Sequence, residues 1–162
     1  MDLRKIYEYA LQREREGREF FASNAKKVSH AAAVGIFEKL AAEEEKHIAF
    51  IQKLIDGLDS PSQEQAAAAE MAQASFFSQR AETEALDQTI IESMVPDVTV
   101  LRMAYLIERD FAEFYEMAAK RAEGKAKETL NMLGLWERTH ERLFKGIHDR
   151  VYEEYMQMPW GG

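Results

Sequence analysis

Apolar residues recur along this chain at the three- and four-residue spacing of amphipathic helices, in four long stretches. The first two stretches follow each other closely between about residues 2 and 57, the first of them ending at about Val28, and the last two run from about residue 97 to residue 156. Asp2 is a suitable N-cap for the first helix. Because the joins within each pair are short, we expect two antiparallel helical hairpins.

The pattern weakens between the two hairpins, from about residue 58 to residue 96. Ser60, Pro61 and Ser62 interrupt the chain there, which predicts a long crossover containing short helices. Residues 158–162 form a short tail without a helical pattern. We expect residues 1–162 to be a single all-α domain, an antiparallel four-helix bundle with a long crossover between its second and third helices.

Six side chains that can bind a metal fall on the apolar faces of the predicted helices. The first and third helices each contribute one glutamate. The second and fourth each contribute a glutamate followed three residues later by a histidine, a spacing that aims both side chains at the same point. These residues are Glu14, Glu44, His47, Glu108, Glu137 and His140.

An internal repeat relates the two hairpins. Residues 10–25 align with residues 104–119, so that Glu108 lies 94 residues after Glu14. The two Glu-x-x-His pairs lie 93 residues apart. Two copies of one hairpin, packed about a pseudo-two-fold axis, would bring all six side chains to the centre of the bundle.

A metal centre explains these residues better than a solvated face does. A single Glu-x-x-His pair on a charged helix is commonly part of a solvated surface, but here Leu40, Phe111 and Leu133 lie among the six positions. Four carboxylates buried together without a cation would each cost several kcal/mol or take up protons. We therefore expect two divalent ions, bridged by Glu44 and Glu137, as in di-iron and di-manganese four-helix proteins.

The donor set indicates the metal and its chemistry. Each ion would also have one terminal carboxylate, from Glu14 or Glu108, and one terminal imidazole, from His47 or His140. Oxygen-rich ligation with one imidazole per ion suits iron or manganese, and zinc would also bind. We expect two iron ions, which together can reduce peroxide or dioxygen by two electrons, while hydrolysis by a bridging hydroxide stays open as an alternative.

Tyr115 lies two turns after Glu108 in the third predicted helix. We assign it to the catalytic site, on the expectation that its hydroxyl donates a hydrogen bond to a carboxylate across the metal centre. Packing in the core is the alternative explanation. Phe21 occupies the equivalent position of the repeat and has no hydroxyl to donate.

Three further residues are given no role at the site. His30 follows the first helix and His148 lies near the end of the fourth, and both are interpreted as surface residues. Trp136 directly precedes Glu137. We expect its side chain to point away from the face that carries Glu137.

Composition limits the remaining functions. The chain contains no cysteine, which excludes disulfides, thiolate zinc sites and iron–sulfur clusters. A net charge of −8 without a basic block disfavours nucleic acids and anionic membranes as partners. The N-terminal residues lack the apolar segment of a signal peptide, and no apolar run approaches the roughly 20 residues of a membrane span. We therefore expect a cytoplasmic protein.

In combination, these residues resemble the rubrerythrin group of the ferritin-like di-iron carboxylate superfamily. The resemblance rests on Glu14 followed by Phe20 and Phe21, on Glu108 followed by Tyr115, and on the two Glu-x-x-His pairs. It implies a ferritin-like bundle with a non-haem di-iron centre, assembled as a homodimer or larger homo-oligomer. Members of the group reduce hydrogen peroxide, and related proteins oxidise and store iron.

The sequence departs from the typical member of this group in two ways. Typical rubrerythrins carry a C-terminal rubredoxin domain whose iron is held by four cysteines. Because this sequence has no cysteine, we expect a member without that domain, which takes electrons from an external donor protein. Typical members also have an additional glutamate one turn after the third-helix ligand, which takes part in a redox-linked movement of one iron. Phe111 occupies that position here.

Three functions follow from this combination. The leading hypothesis is a di-iron oxidoreductase that reduces hydrogen peroxide or dioxygen with electrons from an external donor. The first alternative is iron handling, in which the same centre oxidises iron(II) and passes it to a store. The second alternative is a non-catalytic helical bundle that retains a structural metal.

Overall fold

The computed structural model describes residues 2–28, 31–58 and 98–157, and four α-helices account for almost all of them. The helices are α1 (Leu3–Ala25), α2 (Ala31–Gly57), α3 (Val98–Arg121) and α4 (Gly124–Gln157). The predicted crossover beyond residue 58 and the predicted tail lie outside the described residues, as does His30.

The first helix begins where the sequence predicts. The side chain of Asp2 caps α1 by accepting a hydrogen bond of 3.3 Å from the backbone N–H of Lys5. The helix ends at Ala25, three residues before the predicted end at Val28. The backbone N–H groups of Lys27 and Val28 both donate to the carbonyl of Asn24, which closes the last turn of the helix.

The second hairpin turns sharply between α3 and α4. Only residues 122 and 123 separate the end of α3 from Gly124. Gly124 has a φ of 55°, in the left-handed region that glycine adopts without steric cost. This turn allows the chain to reverse direction directly, so that α3 and α4 pack along each other as an antiparallel pair.

The helices pack in the arrangement expected from the sequence. Helix α1 packs on α2, α3 packs on α4, and α1 also contacts α3. The prediction of an all-α four-helix bundle is therefore confirmed. None of the helices in the described ranges combines the length and the apolar composition that a bilayer-spanning segment needs.

The hydrophobic core consists of two clusters. Cluster I includes Tyr7, Leu11, Phe50, Leu54, Phe111, Tyr115, Leu130 and Trp136. Cluster II includes Phe21, Phe37, Leu40, Leu101, Ala104, Phe144 and Ile147. All four helices pass from one cluster to the other, which leaves a layer of the bundle between them that neither cluster fills.

Candidate metal centre

The layer between the two clusters is polar. On α1, Glu14 lies between Leu11 of cluster I and Phe21 of cluster II. On each of the other three helices the predicted metal-binding residues also lie between residues of the two clusters, with the clusters in the reverse order along α2 and α3. The four predicted glutamates have 0% relative exposure and the two predicted histidines 3%. These six are Glu14, Glu44, His47, Glu108, Glu137 and His140, and the only other buried polar residues in the described ranges are Asn24 and Thr129.

The imidazole of His47 faces carboxylates from three helices. Its Nδ1 lies 3.2 Å from Oε2 of Glu14 on α1 and 3.2 Å from Oε1 of Glu137 on α4. The same Nδ1 lies 3.4 Å from Oε2 of Glu44, one turn earlier on α2. The repeat in the sequence thus corresponds to convergence in space, because residues of both hairpins meet at one nitrogen.

The imidazole of His140 has the equivalent surroundings at a slightly greater distance. Its Nδ1 lies 3.5 Å from Oε2 of Glu137, 3.6 Å from Oε2 of Glu108 and 3.8 Å from Oε1 of Glu44. Both histidines therefore present Nδ1 to the carboxylates. When Nδ1 binds a metal, the ring proton resides on Nε2.

The donor atoms form two overlapping groups, each lying within 4.8 Å. We name them position A, with Glu14, Glu44 and His47, and position B, with Glu44, Glu108, Glu137 and His140. Glu44 belongs to both positions, and Glu137 lies close to both imidazoles. This is the placement that two bridging carboxylates require.

Most donor atoms of this cluster have no hydrogen-bond partner. Both carboxylate oxygens of Glu44, Glu108 and Glu137 are buried without a hydrogen-bond partner, as is Nδ1 of His140. A buried oxygen without a partner is costly, and a bound cation provides the missing interaction. Because all the donors are oxygen or nitrogen, the residues fit two iron or manganese ions.

The charges of the cluster perturb one another strongly. Burial raises the pKa of Glu44 and Glu108 well above the ordinary carboxyl value. Burial also disfavours ionised Glu137, but the positive charges of His47 and His140 outweigh it and lower the pKa of Glu137. For the two imidazoles burial alone would lower the pKa, and the carboxylates of Glu137 and Glu44 reverse that shift and raise it.

Tyr115 contacts this cluster from α3. Its hydroxyl donates a hydrogen bond to Oε1 of Glu14, as the sequence led us to expect, while its ring packs in cluster I. Burial and the negative charge of Glu14 raise the pKa of Tyr115 well above the ordinary phenol value. The phenol therefore remains a hydrogen-bond donor at neutral pH.

A comparison with protein families identifies this arrangement. The chain matches the model of the rubrerythrin family over residues 5–148. It belongs to the rubrerythrin family. No curated protein and no solved structure matches the chain significantly. The matched span contains all six residues of the cluster and Tyr115, and membership of this family supports a di-iron carboxylate protein.

Trp136 corrects one sequence-based expectation for this rubrerythrin-family chain. Its side chain does not point away from the site: it is only 6% exposed, and its ring stacks on His47 with centroids 5.0 Å apart and planes 13° apart. Although Trp136 is rotated from Glu137 by one helical step, its indole is wide enough to reach between α4 and α2. The sequence did contain one indication of this contact: a large apolar residue, Trp136, directly precedes the predicted ligand Glu137.

Phe111 fills the interface between α1 and α3 one turn from Glu108. A Cβ added to Gly17 would lie only 3.0 Å from Cε2 of Phe111, so the ring occupies the space that the missing side chain leaves. Phe111 is 6% exposed and belongs to cluster I. The position at which typical rubrerythrins have an additional carboxylate is therefore an apolar wall beside this cluster.

His148 lies apart from the cluster. Its ring contacts Tyr105 and Tyr152, and its Nδ1 lies 3.1 Å from Oδ1 of Asp149. The side chain is 13% exposed, so His148 is partly buried. It belongs to neither position A nor position B.

Proposed function

We propose that this chain is a non-haem di-iron oxidoreductase that reduces hydrogen peroxide with electrons from an external donor protein. One observation carries the proposal: seven buried donor atoms at the centre of the bundle lack a hydrogen-bond partner. Membership of the rubrerythrin family supports iron as the metal. Reduction of peroxide is the finer part of the proposal and needs a kinetic test.

Each residue of the cluster has a defined part in this proposal. Glu14 and His47 would hold one iron at position A, and Glu108 and His140 would hold the other at position B. Glu44 and Glu137 would bridge the two. The four negative charges of the carboxylates balance the four positive charges of two divalent ions. This attraction offsets the free-energy cost of burying the carboxylates or the ions without each other.

The cofactor would supply two electrons, one from each iron, which is the number needed to convert hydrogen peroxide and two protons into two water molecules. The protein contributes orientation and exclusion of water. Tyr115 holds Glu14 through its hydroxyl, and the core clusters on both sides keep bulk solvent from the carboxylates. A substrate as small as peroxide suits a site whose glutamates have no exposed surface.

Iron handling is the alternative that uses the same residues. It requires iron ions to leave the site repeatedly after oxidation. All four glutamates have 0% relative exposure, and Phe111 places an apolar ring one turn from Glu108. These features favour metal ions that stay bound during turnover. They therefore support the oxidoreductase over iron handling.

The deciding experiment is anaerobic loading with two equivalents of iron(II), followed by stopped-flow mixing with hydrogen peroxide or dioxygen. We expect faster oxidation by peroxide than by dioxygen. In a second series with iron(II) added beyond two equivalents, we expect the protein to catalyse no oxidation of the excess. Glu44→Gln should abolish the reaction. Glu45→Gln should not, because Glu45 is 61% exposed and pairs with Arg18 at the surface. Rapid use of dioxygen with turnover of excess iron(II) would instead support iron handling, and equally slow reactions with both oxidants would contradict both functions.

A further inference from the structure

The two metal positions have matching ligands but different surroundings. The hydroxyl of Tyr115 contacts Glu14 of position A, whereas Phe21, its counterpart in the repeat, has no hydroxyl to offer Glu108 of position B. The same holds for Trp136. Its counterpart 93 residues earlier is Glu43, which is not aromatic. Both aromatic contacts from the second hairpin are therefore made to ligands of position A.

The stack on His47 restricts the orientation of its ring. The plane of His47 is 13° from the plane of Trp136 and 14° from that of His140, with centroid distances of 5.0 and 5.6 Å. A partial rotation of the imidazole about its Cβ–Cγ bond would tilt the ring plane and break this parallel contact. The stacked orientation is also the one in which Nδ1 faces Glu14, Glu44 and Glu137.

Position B has no matching support from its repeat partner. The carboxylate of Glu43 pairs with Lys46 at 2.9 Å, and its side chain is 16% exposed. It is directed into an ion pair on its own helix. The ring of His140 stacks on the ring of His47 and not on an aromatic residue at the repeat-equivalent position, which is Glu43. The Nδ1 of His140 also lies farther from its nearest carboxylate oxygen, at 3.5 Å compared with 3.2 Å for the Nδ1 of His47.

We propose that Trp136 is a positioning residue that holds the His47 imidazole in its metal-binding orientation and makes position A bind the first divalent ion more tightly than position B. The inference rests on the dinuclear site proposed above. Trp136 acts through His47 and does not itself provide a donor atom to the metal. The expected loss on removing such a support from behind a ligand is about tenfold in metal affinity.

Trp136 can report on its own role. The chain has two tryptophans, at positions 136 and 160, so Trp160→Phe leaves Trp136 as the only indole. We expect an anaerobic titration of this variant with cobalt(II) to show two binding steps in the visible absorption of the metal. Most of the change in indole fluorescence should accompany the first equivalent, because the indole lies against the ligand of position A.

Substitutions at Trp136 then separate positioning from packing. Trp136→Leu should weaken the first cobalt(II) step about tenfold and leave the second nearly unchanged, and Trp136→Phe should restore the first step because its ring can stack. In proton NMR spectra of the cobalt(II) protein, only one of the two shifted Nε2–H signals should move in Trp136→Leu. Phe37→Leu is the matched control, because it removes a buried ring from cluster II on the helix that carries His47.

The outcomes distinguish the two levels of the proposal. If Trp136→Leu and Phe37→Leu weaken both steps equally, or if Trp136→Leu changes neither step, the positioning role is wrong and the dinuclear site stands. If fluorescence changes mainly with the second equivalent, the order of the two positions is wrong. If the unmodified protein binds no cobalt(II), manganese(II) or iron(II), the proposed function itself fails.

Discussion

The hydroxyl of Tyr115 on α3 donates a hydrogen bond to Oε1 of Glu14 on α1, so that the two hairpins are joined by a buried polar contact beside the candidate metal centre. The residue equivalent to Tyr115 in the other half of the repeat is Phe21, which has no hydroxyl. The repeat therefore does not supply a second copy of this hydrogen bond. The bundle is therefore symmetric in its donor atoms and asymmetric in the residues that orient them.

Removing the Tyr115 hydroxyl should destabilise the protein. In Tyr115→Phe, Oε1 of Glu14 loses its partner while remaining buried, and we expect the free energy of unfolding of the metal-free protein to fall by about 1–3 kcal/mol. Urea unfolding measures this change. Tyr9→Phe is the control, because Tyr9 is 49% exposed and its substitution should alter the stability by less than about 0.5 kcal/mol. An equal effect of the two substitutions would contradict this account of the hydrogen bond.

Metal binding should contribute to stability through Glu44. With manganese(II) at about 100 times its dissociation constant, we expect the unmodified protein to gain about 2.7 kcal/mol in its free energy of unfolding for each ion bound. Glu44→Gln should lose most of that gain, because Glu44 belongs to both metal positions. Its metal-free form should be no less stable than the unmodified protein, since a buried carboxyl without a hydrogen-bond partner has been replaced by a neutral amide.

The control for this measurement lies next to Glu44 in the sequence. Glu45 is 61% exposed and pairs with Arg18 at 3.1 Å, so Glu45→Gln should retain the full gain from manganese(II). Thermal or urea unfolding with and without the ion gives both values. A gain from manganese(II) that survives in Glu44→Gln would mean that the ion stabilises the protein from another site.

The metal-free and metal-loaded proteins should respond oppositely to pH. Above the ordinary carboxyl pKa of 4.5, folded Glu44 and Glu108 keep protons that the unfolded chain has released, because burial raises their pKa. Above 6.5, the imidazoles of His47 and His140 act in the same direction. The folded protein then binds more protons than the unfolded chain, so the stability of the metal-free protein should fall as the pH rises from about 5 to 8.

Glu137 does not change this sign. Its pKa is lowered, so the stability that it contributes is present above 4.5 and is lost only at lower pH. Metal binding displaces the protons from the donors, and metal affinity therefore rises with pH. Unfolding curves recorded with excess manganese(II) should accordingly show stability increasing over the range in which the metal-free protein weakens. Parallel pH dependence of the two forms would argue against binding at this cluster.

The sequence allowed the cluster to be predicted because charged residues at apolar helix positions are rare and were repeated. Glu14 and Glu108 each interrupt an apolar face at the same point of the repeat, and the structure brings them to one layer. Trp136 was misjudged because helical periodicity gives the direction of Cβ and not the reach of a side chain. An indole one step from Glu137 extends back over His47, which only the packing of α2 on α4 reveals.

The two ends of α1 differed in how well the sequence predicted them. Asp2 caps α1 through its carboxylate, a role that its residue type makes recognisable. The end of α1 depends on backbone bonds to the carbonyl of Asn24, which have no distinctive residue pattern, and the prediction was three residues too long. The predicted crossover lies outside the described residues, so its short helices stay a prediction.

Gly17 and Phe111 should be coupled in their effect on stability. In Gly17→Ala, the new Cβ would lie 3.0 Å from the ring of Phe111, and overpacking in a core typically costs about 1–3 kcal/mol. This cost opposes the roughly 0.5–1 kcal/mol that alanine gains over glycine in a helix, and we expect net destabilisation because Phe111 is buried and cannot easily move. Gly35→Ala in α2 is the matched control. Among the described residues, no atom apart from its chain neighbours and the backbone of its own helix lies within 4 Å of the added Cβ, so Gly35→Ala should stabilise the protein.

A double substitution tests whether the contact itself is responsible. Phe111→Leu shortens the side chain that meets residue 17, and in that background Gly17→Ala should lose its destabilising effect, giving a favourable coupling energy between the two positions. Urea unfolding of the four proteins in this cycle measures the coupling. If the changes in the free energy of unfolding caused by the two substitutions are additive, the contact between residue 17 and Phe111 is not what makes Gly17→Ala destabilising. Coupling of the expected sign would establish that Phe111 and Gly17 together form the apolar wall next to Glu108.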